Sequence, residues 1–168
     1  MSAPGWWGAG IALLLAFVLS ALPLPEVMAV ARPALVPLVL VYLCLHAPHR
    51  FGIASAWLLG LLLDVSHASL LGQHALAMSL LAYGVLKLRD TLKLIPAWQQ
   101  MFVLLPLWAG YQGLLLWLDG YAGQPIEAAW RWIPVASTTL SWLPLVALFA
   151  LLGSAGSEGG GRRRPSTL

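Results

Sequence analysis

Residues 51–86 read FGIASAWLLGLLLDVSHASLLGQHALAMSLLAYGVL, and this stretch decides how many helices the chain folds into. It holds 36 residues and one charge, Asp64. As a single helix it would be about 54 Å long, whereas one bilayer crossing takes roughly 20 residues. Two crossings joined by a tight turn fit instead. Small and polar residues gather at Ser66-His67-Ala68-Ser69 and at Gly72, so the turn belongs at one of those places.

Outward from this stretch, charges cut the chain into the uncharged runs 1–25, 33–49, 94–118 and 132–157. The pattern predicts helices near 6–24, 33–47, 51–65, 73–89, 97–118 and 133–152. Run 33–49 is short, and spans if Arg32 and His49 reach the two interfaces. Pro33, Pro48, Pro96 and Pro134 stand at or near helix ends, where a missing N–H costs little. Pro37, Pro106 and Pro144 fall inside runs, where membrane helices tolerate kinks. The two middle helices are short, which suggests a thin or partly protein-covered edge around Asp64. The expected fold is all-α: a polytopic membrane protein with about six transmembrane helices over 1–152. A flexible Gly/Arg-rich cytoplasmic tail is expected over 153–168.

Composition agrees. Apolar residues make up 60% of the chain and charged ones 9%, against about a quarter in soluble domains. So few charges cannot cover a water-facing surface. Nine tryptophans suit membrane–water interfaces. The lone Cys44 excludes an intramolecular disulfide. The basic residues are few and lie between apolar runs, which argues against nucleic-acid binding.

Six helices place both termini on one side, together with Arg50, Lys87, Arg89, Lys93 and Arg162 to Arg164. The other side holds Arg32 and Arg131. The positive-inside rule makes the first side cytoplasmic. A five-helix chain with an external N-terminus gives the same split. It leaves the uncharged segment Phe51 to Leu63 without a crossing, and is rejected for that reason.

Few side chains could carry chemistry. A carboxylate at mid-helix depth costs ~2.5–3.5 kcal/mol on insertion scales, so Asp64 must lie near an interface, be protonated, or be paired. Arg32, expected on the same external side, is the candidate partner. Asp64 then reads either as a polar contact site or as a charge at a helix end. His46 and His49 are separated by Pro48, and His67 and His74 flank the expected turn; no cysteine pair or carboxylate cluster completes a metal site. Ser79 and Ser141 lack a nucleophile motif and are expected to pack closely or bond back to the backbone. Lys87, Arg89 and Lys93 are basic anchors that could also meet anionic lipid or a cytoplasmic partner. Gln99 and Gln100 open the fifth helix and are expected to link helices. Gly52, Ala56 and Gly60 form a small-residue stripe that admits a second helix, internal or from a partner. No catalytic residue, cofactor or metal ligand is assigned.

Several pieces then follow one another in order: Arg32-Pro33, Leu40-Val41-Tyr42, Pro48-His49-Arg50-Phe51-Gly52, Gly60-Leu61-x-x-Asp64, Leu71-Gly72-Gln73-His74-Ala75-Leu76, Tyr83 and Trp98-Gln99-Gln100. The series, from about Trp6 to Leu152, resembles the MreD family of bacterial rod shape-determining membrane proteins. Ala68 and Leu43 depart from its usual Gly and Trp. The resemblance implies a non-enzymatic inner-membrane scaffold of the cell-elongation complex. The expected partners are MreC and, through it, MreB filaments, RodA and a class B penicillin-binding transpeptidase that build side-wall peptidoglycan. It also implies a fold similar to the six-helix substrate-binding subunits of energy-coupling-factor transporters. Arg32, Asp64, Gln73 and His74 are the positions expected to be sensitive. The alternative is a small-molecule-binding membrane subunit of a transporter, with His67, Gln73 and His74 supplying its polar contacts.

Overall fold

The computed structural model describes residues 6–22, 32–67, 69–121 and 130–158. Among these are six α-helices: α1 (Trp6–Ala21), α2 (Leu35–His46), α3 (Ile53–His67), α4 (Gln73–Leu94), α5 (Ala97–Tyr121) and α6 (Ile133–Glu158). A 3₁₀ turn, Trp130–Trp132, leads into α6. The described residues contain no strand.

Residues 51–86 divide into two helices, as expected. α3 runs to His67, and the chain reverses by a turn at Leu71-Gly72, where Gly72 adopts φ 100°. A residue with a Cβ is strained there, so glycine sets this turn. Ala68 lies outside the described residues.

Hydrogen bonds at the helix ends show that successive helices alternate in direction. Arg32, before α2, reaches Leu19 near the end of α1. Asp64, late in α3, meets the start of α4. Gln73, opening α4, meets Asp119 near the end of α5, and Arg131, before α6, meets the same carboxylate. One end of the bundle therefore gathers the ends of α1, α3 and α5 and the starts of α2, α4 and α6.

α2 is the central helix. Every residue from Val36 to Leu45 is buried, and α1, α4 and α6 pack around it. Its twelve residues span about 18 Å, short of a hydrocarbon core. It needs no lipid-facing surface, because the other helices enclose it. It ends at His46 because Ala47, preceding Pro48, leaves the helical region (φ −135°, ψ 57°). Pro37 is its third residue, a position whose N–H has no intrahelical acceptor, so no bond is lost there.

Two boundaries differ from expectation by five residues or more, and the others by at most three. α4 continues past residue 89 to Leu94, through Lys87, Arg89, Asp90 and Lys93. Charges end an apolar run without ending a helix. The helix stops at Ile95 (φ −104°, ψ 149°), which the following Pro96 holds extended. α6 likewise runs on to Glu158, into the segment expected as tail, while Arg162 to Arg164 lie outside the described residues.

The outer surface is apolar. Two segments, Ala97–Tyr121 and Trp130–Leu152, are long and apolar enough to cross a membrane, and only 22% and 17% of their most apolar stretches are buried within the protein. Leu14, Leu58, Val65, Leu80, Phe102, Leu140 and Leu151 all point outward. Such a surface is consistent with hydrocarbon as the surrounding solvent.

The closest helix pair is α3 against α4. The expected small-residue stripe packs inside the protein, with Ala56 fully buried and Gly60 against the α4 backbone. A Cβ at Gly60 would fall 2.7 Å from the His74 carbonyl carbon and closer still to Ala75. Nothing flexible can move aside. Gly60→Val is expected to destabilise the protein by about 3 kcal/mol in detergent-micelle unfolding. Gly110→Ala, where a Cβ meets nothing within 4 Å, should change stability by no more than about 1 kcal/mol. Equal effects at the two sites would remove the close contact from the account.

Candidate functional site: a buried carboxylate at a helix start

The Gly60–Ala75 contact fixes how far Asp64 lies from α4. One turn beyond Gly60, the Asp64 side chain enters the first turn of α4 and is 1% exposed. Oδ2 accepts the Gly72 N–H at 2.8 Å and the Ala75 N–H at 3.4 Å. Oδ1 accepts the His74 N–H at 2.8 Å, the Ser69 hydroxyl at 3.0 Å and His74 Nδ1–H at 2.9 Å.

The physical logic is that of a helix cap supplied from another helix. The first N–H groups of any α-helix lack intrahelical acceptors. Gly72, at the cap position of α4, has no side chain to offer, and Asp64 takes that role. The positive end of the α4 dipole then faces a negative group. Burying a carboxylate is costly unless it is fully hydrogen-bonded, and five donors meet that condition.

Asp64 does not pair with Arg32, the partner expected from charge and side. Its oxygens are saturated by Gly72, Ser69, His74 and Ala75, while Arg32 donates to the Leu19 carbonyl near the end of α1. Nor is Asp64 a charge at a wet helix end; it is buried between helices.

Gln73 joins Asp64's neighbourhood to a second carboxylate that sequence reasoning did not single out. Gln73 Nε2 donates to Asp119 Oδ1 at 2.5 Å, and Arg131 donates to Asp119 Oδ2. Gln73 and Asp119 are 6% and 7% exposed. A signal existed: Asp119 closes one apolar run and Arg131 precedes the next, so consecutive antiparallel helices bring opposite charges together.

The expected basic anchors Arg50, Lys87, Arg89 and Lys93 lie at the other end of the bundle. Lys87, Arg89 and Lys93 follow the α4 start by roughly 20–30 Å of helix. Arg89 Nε donates to the Leu45 carbonyl at 3.2 Å, which serves the C-terminal end of α2. Lys87 sits over the Tyr83 ring, Lys93 is exposed, and Arg50 occupies the α2–α3 connection. Arg50 and these three therefore share no site with Arg32, Asp64, Gln73 and His74.

The remaining polar residues serve packing. Gln100 Nε2 donates to the Leu92 and Ile95 carbonyls, and its Oε1 accepts the Trp142 indole N–H at 3.0 Å, tying α4, α5 and α6. The Ser79 and Ser141 hydroxyls donate to Ala75 and Ser137 carbonyls at 2.7 Å. His46 stacks on Tyr42, and the His67 and His74 rings are 5.4 Å apart. Among the described residues, no three His, Cys, Asp or Glu side chains converge as metal ligands.

The family model of rod shape-determining protein MreD matches residues 4–152. The chain belongs to the MreD family. A curated relative, the rod shape-determining protein MreD of Haemophilus influenzae, is 37% identical over 87 residues. That alignment covers 52% of this chain and 54% of the relative, so the chain spans about half the length of the curated relative it matches. No solved structure matches the chain. In this MreD-family member, all four positions expected to be sensitive sit at one end of the bundle. Asp64, Gln73 and His74 are linked through the start of α4, and Arg32 stands apart at the α1–α2 junction.

Removing the cap leaves buried N–H donors without an acceptor. Asp64→Ala is expected to cost about 3–5 kcal/mol in reversible unfolding, the range for breaking a buried charged network. Asp64→Asn keeps shape and one acceptor oxygen, and should cost less. Arg131→Gln should cost less again, because Gln73 still satisfies one oxygen of Asp119. The reverse ranking would contradict the assignment of Asp64 as the principal node.

Proposed function

We propose that this chain is a non-enzymatic, multi-pass inner-membrane scaffold of the bacterial cell-elongation complex, with both termini in the cytoplasm. It binds MreC and, through it, works with MreB filaments, RodA and a class B penicillin-binding transpeptidase in side-wall peptidoglycan synthesis. The observation that carries this reading is membership of the MreD family over residues 4–152.

The site geometry supports the structural half of the reading. Asp64, Gln73, His74 and Gln100 each hydrogen-bond to other parts of the same chain. Such groups hold helices in register and give a rigid face for other membrane helices to pack on. The basic residues at the far end of α4 support the proposed orientation, since the positive-inside rule puts them in the cytoplasm. The likeness to energy-coupling-factor subunits is part of the same proposal and rests on the six-helix plan alone.

Expression in a rod-shaped bacterium depleted of its own MreD-family protein tests this reading. The wild-type chain should restore rods and co-purify with MreC in mild detergent. Asp64→Ala, at equal protein level, should lose most of both. Round cells with the wild-type chain, or a stoichiometric small molecule in place of MreC, would overturn the scaffold reading.

A further inference from the structure

A lateral groove between α3 and α4 is not used by any contact described above. Ile53, Ala54, Trp57 and Leu58 of α3 line it, and Ser79 of α4 closes it. Ile53, Trp57 and Leu58 are exposed. The one hydroxyl in the wall, on Ser79, donates to its own helix at Ala75. The groove therefore offers mainly apolar surface, with the Trp57 indole N–H as its one other polar group.

Its charge is all at one end. Tyr83 follows Ser79 by one turn on α4 and is 50% exposed. The Lys87 ammonium, one turn further, sits 5.9 Å from the Tyr83 ring centroid. α3 begins at the same level: a Cβ at Gly52 would touch Leu86. The positive end of the α3 dipole thus stands beside Lys87. Asp90, the nearest acid along α4, is 3.9 Å from Arg89 and fully out in solvent.

An open apolar groove with a cation beyond one end matches the plan of a single phospholipid: acyl chain along the groove, phosphate at its end. We propose that the α3–α4 groove is a binding site for an anionic phospholipid. One acyl chain lies along Ile53, Trp57 and Leu58, and the headgroup phosphate rests on Lys87 and the start of α3. Net negative charge favours this occupant over a zwitterionic lipid, whose own ammonium would face Lys87. A partner's apolar helix would leave the Lys87 end without a counter-charge.

Native mass spectrometry tests the site on protein taken from micelles holding equal phosphatidylglycerol and phosphatidylethanolamine. The wild-type chain should retain one phosphatidylglycerol in preference. Lys87→Gln should reduce that preference about fivefold, the effect of one interfacial basic residue. Lys93→Gln should leave it unchanged. Ala54→Phe, which fills the groove, should release the lipid while the unfolding temperature holds. Equal losses from Lys87→Gln and Lys93→Gln would mean diffuse charge attraction and overturn the site. So would phosphatidylglycerol retention unchanged by Ala54→Phe, or loss of a co-purified protein chain in that variant with lipid unaffected.

Discussion

A carboxylate buried in an apolar helical bundle must find its hydrogen bonds inside the protein, and Asp64 finds them at the start of α4. The rest of the arrangement depends on this. α3 is brought against α4 by Gly60, because only a glycine lets the Ala75 backbone come so near. The Asp64 oxygens then reach Gly72, His74 and Ala75, the N–H groups that α4 cannot satisfy for itself. Gln73 stands between these groups and passes the connection to Asp119, which holds Arg131 at the entry to α6. Four elements are fixed at one end of the bundle through two acids.

Polar side chains elsewhere in this chain also join helices. At the other end of the bundle, Arg89 serves the last carbonyls of α2, and Gln100 joins α4 to Trp142 of α6. The middle of the protein is held by packing around α2, whose residues face other helices on every side. Among the described residues, Trp108 Nε1 is the one buried side-chain polar atom without a partner. Among the described residues, Arg32, Asp64, Arg89, Asp119 and Arg131 each bond at a helix end.

The helix count was legible because charges and prolines interrupt the apolar runs, and because 36 residues with one charge are too long for one crossing. The end of α4 was not, since Lys87 to Lys93 mark the limit of an apolar run, and Pro96 marks the limit of the helix. Asp64 stood out from its cost alone. Its partners did not, because backbone N–H groups leave no mark in a sequence, and the opposite charge of Arg32 drew the expectation elsewhere. The pairing of Asp119 with Arg131 escaped notice because each borders an apolar run, where charges are ordinary. The stripe Gly52, Ala56 and Gly60 was visible as a contact face, and its partner, α4, required the three-dimensional arrangement.

The capping of α4 by Asp64 is most directly measured by solid-state NMR of the protein in lipid bilayers, with dipolar recoupling between Asp64 ¹³Cγ and the amide ¹⁵N of Gly72 and His74. Hydrogen bonds of 2.8 Å place both nitrogens within about 4 Å of that carbon, and strong couplings to both are predicted. Couplings absent at both amides, with Asp64 close instead to the Arg32 guanidinium, would contradict the account.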